Sequence, residues 1–130
     1  MLLRYLKSYI CNSVAELRCK ITVTPDFLRE LKRLSKRYRS LKTDLTKLGE
    51  ELRLNPFLGT ELGHRLRKVR LAITSKGKGK SGGARVITYT VILAQANTEV
   101  KLITIYDKSE RDNISDAELL EILRRNGIEV

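Results

Sequence analysis

The hydrophobic period of this chain changes after Asn55-Pro56, and this change restricts the folds that the chain can form. Before the change, four leucines recur at steps of three or four residues: Leu41, Leu45, Leu48 and Leu52. That spacing is typical of the buried face of a helix. After the change, three apolar residues alternate with other side chains, as in a strand: Val69, Leu71 and Ile73. The sequence therefore predicts helices followed by a sheet.

The segment before these leucines predicts a strand and a further helix. The stretch "KITVTP" (Lys20–Pro25) alternates apolar and polar residues, as strands do. Thr24 can then cap a helix whose first position is Pro25, where its missing N–H costs nothing. Four apolar residues give this helix a buried stripe: Phe27, Leu28, Leu31 and Leu34. Ser40 can cap the following helix, and the short turn between the two predicts an antiparallel hairpin.

Three strands and a last helix are predicted after the loop "PFLGTELGH". The first strand is centred on Val69, and the loop "TSKGKGKSGG" joins it to two apolar strands, Arg85–Leu93 and Val100–Tyr106. The box "SDAE", Ser115 to Glu118, opens the last helix. The predicted order is β-α-α-β-β-β-α within one domain, residues 20–130. This order indicates an α+β fold with a mainly antiparallel sheet and its helices on one face.

Residues 1–19 form a separate N-terminal extension, predicted to be helical because apolar residues recur at helical spacing. Three interpretations stay open: a partner-binding helix, a helix packed on its own domain, or a tail added by an upstream start. If the extension is helical, Cys11 and Cys19 lie roughly 12 Å apart along its axis, too far for a disulfide. We expect a cytoplasmic protein with reduced thiols. No stretch approaches 18 consecutive apolar residues, so no membrane association is expected.

The positive charge of the chain is concentrated in its middle. The formal net charge is +11, and residues 62–98 carry eight Lys or Arg and no Asp or Glu. Lys68 and Arg70 are two residues apart on a strand, so their side chains leave one face roughly 7 Å apart. Antiparallel pairing could bring Arg85 close to them. The simplest partner for such a segment is a polyanion, and a solvated basic hairpin is the alternative.

The loop between these strands alternates lysine with glycine: Lys76, Lys78 and Lys80. Glycine lets a backbone approach a ligand closely, and the lysines would follow the ligand's negative charge. The loop is not a phosphate-binding P-loop, because the G-x-x-x-x-G-K-[ST] pattern is absent. His64 is the single histidine, so no histidine pair is available for a metal. We expect neither metal nor cofactor.

The predicted order of elements, with "KVRLAI…GARVITY" and "LITIYDKSERDNIS", resembles the RelE/ParE superfamily of bacterial type II toxins, RelE- and HigB-like members most of all. The resemblance covers roughly residues 20–125. It implies a microbial ribonuclease fold and cleavage of mRNA, typically in the ribosomal A site, until a cognate antitoxin wraps the toxin in a hetero-oligomer. The family reaction is attack of a ribose 2′-hydroxyl on the adjacent phosphate.

The resemblance also implies site residues. Lys68 and Arg70 match two basic strand positions, and Arg85 matches a phosphate-binding arginine. Tyr106 falls where related toxins keep a polar or aromatic catalytic residue. RelE has a further arginine and a tyrosine at positions that align with Ser109 and Ser115. We expect nearby cations to take over there: Lys108 and Arg111, which we group with Lys76, Lys78 and Lys80 as RNA-binding residues.

Two other functions stay open on the sequence. One is a gyrase-directed toxin of the ParE kind, which needs no convergence of cations on a phosphate. The other is a nucleic-acid-binding module that cleaves nothing, which would bind with a steep salt dependence.

Overall fold

The computed structural model describes residues 19–77, 79–94 and 97–129. The predicted N-terminal helix and Lys78 therefore lie outside the described residues, apart from Cys19. The elements are β1 (Cys19–Val23), α1 (Pro25–Arg37), α2 (Leu41–Leu54), β2 (Thr60–Gly63), β3 (Leu66–Leu71), a 3-10 turn (Thr74–Lys76), β4 (Ala84–Ala94), β5 (Asn97–Asp107) and α3 (Asp116–Arg125). The predicted α+β fold class with a mainly antiparallel sheet is confirmed.

The five strands form one sheet in the order β1-β5-β4-β3-β2. β2 to β5 are consecutive antiparallel neighbours, and β1 pairs parallel to β5. β2 is additional to the predicted order, which treated this segment as loop. It has only four residues and pairs with β3 across His64 and Arg65, whose φ angles are 51° and 64°. A strand so short gives too few alternations for its period to be recognised.

The helices cover both faces of the sheet, whereas the sequence predicted one. α1 and α2 pack on a face that includes Ile21, Val86 and Ile105. α3 packs on the opposite face, through Leu119 and Leu123 against residues such as Ile87 and Ile103. The reason lies in β4, where consecutive apolar residues point to opposite faces, so that both faces need cover. The one-face arrangement thus holds for α1 and α2 and is wrong for α3.

Two of the three predicted helix caps form, and the third residue makes a different contact. The Thr24 hydroxyl accepts from the Phe27 N–H at 3.1 Å, as expected of a cap, and donates to the Ile103 carbonyl at 2.7 Å. The Ser115 hydroxyl likewise accepts from the Glu118 N–H at 3.1 Å. Ser40 precedes α2 as predicted, but its hydroxyl donates to the Asp44 carboxylate at 2.8 Å instead of capping the helix.

Cys19 starts a strand and does not end a helix. Its side chain is buried in the core beneath α2, and this burial raises the pKa of the thiol. Within the described ranges, no helix is long and apolar enough to cross a membrane.

Candidate active site

Three predicted site residues form a row across three adjacent strands, at one end of those strands. Arg70 on β3 is the register partner of Arg85 on β4, and Arg85 is the register partner of Tyr106 on β5. Residues directly opposite each other in antiparallel strands have Cα atoms about 4.5–5.5 Å apart and point to one face. Lys68 lies two residues from Arg70 and points to the same face, which is the face that α3 also covers. We call Lys68, Arg70 and Arg85 the cationic row.

The Arg85 guanidinium is held by backbone carbonyls. Its Nη1 donates to the Lys80 and Ala84 carbonyls at 3.0 and 3.1 Å, and its Nη2 donates to the Ser81 carbonyl at 3.2 Å. The residue is only 6% exposed. A guanidinium has five N–H donors, so these three bonds leave Nε–H and one Nη2–H without a described partner. Those two donors share one edge of the group, the geometry that grips two phosphate oxygens.

The other two cations of the row are more accessible. The Lys68 ammonium donates to the side-chain oxygen of Asn113 at 3.1 Å. Arg70 is exposed and makes no hydrogen bond or ion pair within the described part of the chain. Among the described residues, no carboxylate is paired with any member of the cationic row. Within the described residues the three positive charges of the row have no counter-charge, so the row is suited to bind an external anion.

Tyr106 contributes a buried hydroxyl at the end of the row. The residue is 5% exposed, and its Oη has no hydrogen-bond partner among the described residues. Burial raises the pKa of Tyr106, and the charges of Arg85 and Arg111 lower it by less. The hydroxyl is therefore protonated at neutral pH and has a proton to donate. A buried polar group without a partner costs roughly 1–3 kcal/mol, so a ligand that accepts from it removes that cost.

Lys76, predicted to bind RNA, does not face solvent, and its ammonium is paired inside the protein. Its ammonium donates to Asp107 Oδ1 at 2.6 Å, to the Gly82 carbonyl at 2.7 Å and to Ser109 Oγ at 2.8 Å. Asp107 is fully buried and also accepts from the Tyr38 hydroxyl at 2.6 Å. Burial alone would raise the pKa of Asp107, but the hydrogen bonds from Lys76, Tyr38 and Ser109 hold it well below its usual range.

The remaining predicted RNA-binding residues differ in whether their charge is paired with a carboxylate. Lys80 is exposed, and its ammonium has no partner among the described residues. Lys108 pairs with Asp112 at 2.9 Å, so its charge is partly neutralised. Arg111 makes two hydrogen bonds to Glu118, at 2.9 and 2.6 Å, and its guanidinium lies 5.5 Å from the centre of the Tyr106 ring. Arg111 therefore helps to form the wall of the site.

Sequence reasoning missed Asp107 and Tyr38. Neither residue is among the predicted site residues. The sequence contained a signal for Asp107. It directly follows a run of buried strand residues, and if the strand includes Asp107, its carboxylate is buried and needs a partner. No signal in the sequence pointed to Tyr38.

A comparison with protein families gives one match over this fold and site. The family model described as the RelE toxin of the RelE / RelB toxin-antitoxin system matches residues 27–126. The matched range runs from the first turn of α1 to the end of α3, so it contains the cationic row and Tyr106.

Proposed function

This chain belongs to the RelE toxin family, and we propose that it is an endoribonuclease that cleaves mRNA on the ribosome and so inhibits translation. As a RelE toxin it is the toxin of a type II toxin–antitoxin system with a cognate antitoxin as partner. The action we propose takes place in the cytoplasm, where mRNA is translated. The observation that carries the proposal is the cationic row beside the unpartnered Tyr106 hydroxyl.

The main requirement of the reaction is stabilisation of the negative charge that develops on the phosphate in the transition state. Attack of the 2′-oxygen on the adjacent phosphorus forms a P–O2′ bond and breaks the P–O5′ bond, leaving a 2′,3′-cyclic phosphate and a 5′-hydroxyl. Negative charge increases on the phosphoryl oxygens as the five-coordinate phosphorus forms. Cations fixed in advance where charge develops can supply several kcal/mol of the barrier.

The row supports a division of roles. Arg85 is the residue we assign to the transition-state phosphate, because its free edge can bind two oxygens and its other donors are fixed. Arg70, its cross-strand neighbour, is a second clamp on the phosphate. We assign Lys68 to the position of the general base for the 2′-hydroxyl proton. Tyr106 donates its proton to the departing 5′-oxygen, consistent with its raised pKa.

Arg85→Ala tests the central assignment. At saturating RNA we expect single-turnover cleavage about a hundredfold slower or more, on ribosomes and on free RNA, with no rescue at low salt. A binding cation behaves differently, because its loss weakens affinity and is recovered when salt is lowered. Lys47→Ala is the matched control, since it removes one exposed cation from α2 on the opposite side of the sheet. Wild-type cleavage by Arg85→Ala at saturation would make Arg85 a binding residue and end this mechanism.

The antitoxin partner fits an apolar surface at the far end of the sheet. Four apolar side chains are exposed there: Leu54, Phe57, Ile92 and Leu93. Ile92 is 68% exposed and Phe57 45%, and the Arg67 guanidinium lies 4.9 Å from the centre of the Phe57 ring. The cleft beside them is lined by two arginines and no acid. We call this surface the apolar end patch, and its chemistry favours an antitoxin segment that carries apolar side chains flanked by Asp or Glu.

The cleft of the apolar end patch, at Arg67 and Thr90, lies on the opposite face from the cationic row. Arg67 and Thr90, which line its cleft, point to the face of α1 and α2, whereas the cationic row shares the face of α3. An antitoxin segment bound there leaves the row uncovered.

A further inference from the structure

Four side chains from distant parts of the chain form a buried polar cluster next to the cationic row. Asp107 accepts from Lys76 Nζ at 2.6 Å, from the Tyr38 hydroxyl at 2.6 Å and from the Ser109 hydroxyl at 2.7 Å. The Lys76 side chain is 9% exposed and that of Asp107 is fully buried. We call Tyr38, Lys76, Asp107 and Ser109 the loop brace. None of them points a free charge at a ligand.

The loop brace fixes the backbone that holds Arg85. Lys76 Nζ donates to the carbonyl of Gly82, so the start of the glycine-lysine loop is tied to its end. Directly before Gly82, the carbonyls of Lys80 and Ser81 accept from the Arg85 guanidinium. The contacts therefore run without a break from Asp107 through Lys76 and Gly82 to Arg85.

This segment needs such a constraint because its own sequence provides little. Gly79 has a φ of 63°, and glycine is the residue that loses most conformational freedom when it is fixed. Gly83 passes so close to β3 that a Cβ there would lie 2.1 Å from the Leu71 carbonyl oxygen, which fixes the path where the loop rejoins the sheet. Between these points the described loop is bound by Lys76 at the Gly82 carbonyl and by Arg85 at the carbonyls of Lys80 and Ser81.

We propose that Lys76 and Asp107 are positioning residues that set the orientation of the Arg85 guanidinium through the carbonyls of residues 80–82. The catalytic part of this inference rests on the proposed ribonuclease function. The carbonyls bind both hydrogens of Nη1 and one of Nη2, and so turn the free edge of Arg85, Nε–H with the second Nη2–H, toward the phosphate. Without the ammonium of Lys76 the loop carbonyls move, and that edge loses its fixed direction.

The first test observes the Arg85 guanidinium directly and does not depend on RNA cleavage. In nuclear magnetic resonance spectra of the wild-type protein at low temperature, we expect separate, slowly exchanging Arg85 Hη signals, because the carbonyl bonds hinder rotation of the guanidinium. Loss of signals in Arg85→Lys assigns them. In Lys76→Met the Arg85 signals should merge and broaden. Unchanged Arg85 signals in folded Lys76→Met would overturn the inference.

Lys76→Met leaves the buried Asp107 carboxylate without its ion-pair partner, which can prevent folding. Two milder variants keep the inference testable in that case. Tyr38→Phe removes one hydrogen bond to Asp107, and Ser109→Ala removes one to Asp107 and one from Lys76; both variants keep the ion pair. Both should broaden the Arg85 signals in part. Arg125→Met is the matched control, because it removes an arginine from another buried carboxylate, Asp26, in the first turn of α1, whereas Tyr38 follows the last turn. It should leave the Arg85 signals unchanged.

The second test is a double-mutant cycle on cleavage. A misplacement near 1 Å can cost about a hundredfold in rate, so we expect Lys76→Met to lower single-turnover cleavage at saturating RNA about ten- to a hundredfold. In the Arg85→Ala background the same change should cost less than about twofold, because its target is gone. Equal losses in both backgrounds would overturn the inference. If the wild-type protein cleaves no RNA, the proposed function fails, and the Arg85 signals alone decide whether the loop brace positions Arg85.

Discussion

Arg70 and Arg85 lie directly opposite each other on β3 and β4, and neither has a carboxylate partner among the described residues. Like charges in such a position repel each other and destabilise a sheet. An unfavourable pair of this kind, at the loop end of two paired strands, indicates a site that an anion completes.

Removing the repulsion should stabilise the protein and weaken its function. Arg70→Thr keeps a residue suited to strands, and we expect it to raise the free energy of unfolding by about 0.2–1 kcal/mol at low salt. The gain should shrink at high salt, because ions screen exposed charges. Urea denaturation at two salt concentrations measures both effects. A loss of stability in Arg70→Thr at low salt contradicts this account, and Lys47→Ala provides the baseline for losing one surface cation.

The Tyr106 hydroxyl should matter for cleavage and not for stability. Tyr106→Phe keeps the buried ring and removes an unpaired polar atom, so the free energy of unfolding should stay level or rise by roughly 1 kcal/mol. Single-turnover cleavage should fall about 10²- to 10⁴-fold if Tyr106 protonates the 5′-oxygen.

An RNA whose 5′-bridging oxygen is replaced by sulfur distinguishes this role from stacking. Sulfur leaves without a proton, so Tyr106→Phe and the wild-type protein should cleave that RNA at similar rates. An equal deficit on both RNAs rules out Tyr106 as the proton donor.

The loop brace predicts a pH dependence of stability. The pKa of Asp107 is lower in the folded protein than in the unfolded chain, so its contribution is complete above the unfolded value, about 4, and declines as pH falls below it. Asp107→Asn leaves the Lys76 ammonium buried without a counter-charge and should cost about 3–5 kcal/mol at pH 7.

Chemical denaturation of both proteins between pH 3 and 7 checks this prediction. The difference between the wild-type protein and Asp107→Asn should be largest at neutral pH and smaller near pH 3. A difference that grows as pH falls has the wrong sign and contradicts the assignment. Variation shared by both proteins belongs to other carboxylates with lowered pKa values, such as Glu110 and Glu118.

Pulse-labelling separates the three functions that the sequence left open. After induction of the wild-type protein, we expect incorporation of amino acids into protein to stop before DNA synthesis does. Arg85→Ala at the same expression level should stop neither. An earlier stop of DNA synthesis indicates a gyrase-directed toxin, and no stop in the wild type indicates a binding module.

The apolar end patch should bind the antitoxin independently of the cationic row. Arg67→Glu places an acid where we expect acids of the antitoxin, and Phe57→Ala removes the ring beneath Arg67. Central contacts of an interface cost about 2 kcal/mol or more when lost, so each change should weaken binding roughly 30-fold or more.

Titration calorimetry with the antitoxin encoded by the neighbouring gene measures this. Single-turnover cleavage should be unchanged in both patch variants, and Arg85→Ala should still bind the antitoxin at full affinity. Full affinity in both patch variants would show that the antitoxin binds elsewhere.

The sequence by itself determined the features that depend on neighbouring residues. The change of hydrophobic period at Pro56 predicted the α+β class, and Thr24 and Ser115 were predicted as caps because a cap acts within one helical turn. The pairing of Arg85 with the strand of Lys68 and Arg70 also followed, since antiparallel strands adjacent in sequence meet across a short loop.

Only the tertiary structure decided what depends on residues far apart. Lys76 looked like one of three equivalent loop lysines, and Asp107, 31 residues later, removes its charge from the surface. In the same way Arg111 forms an ion pair with Glu118. The apolar residues on both faces of β4 require cover on both sides, and α3 packs on the face opposite α1 and α2. The physical reason is that the residues next to a cation in the sequence do not show which distant residue will pair with it. Whether its charge meets solvent, an RNA phosphate or a buried carboxylate is settled only when the chain has folded.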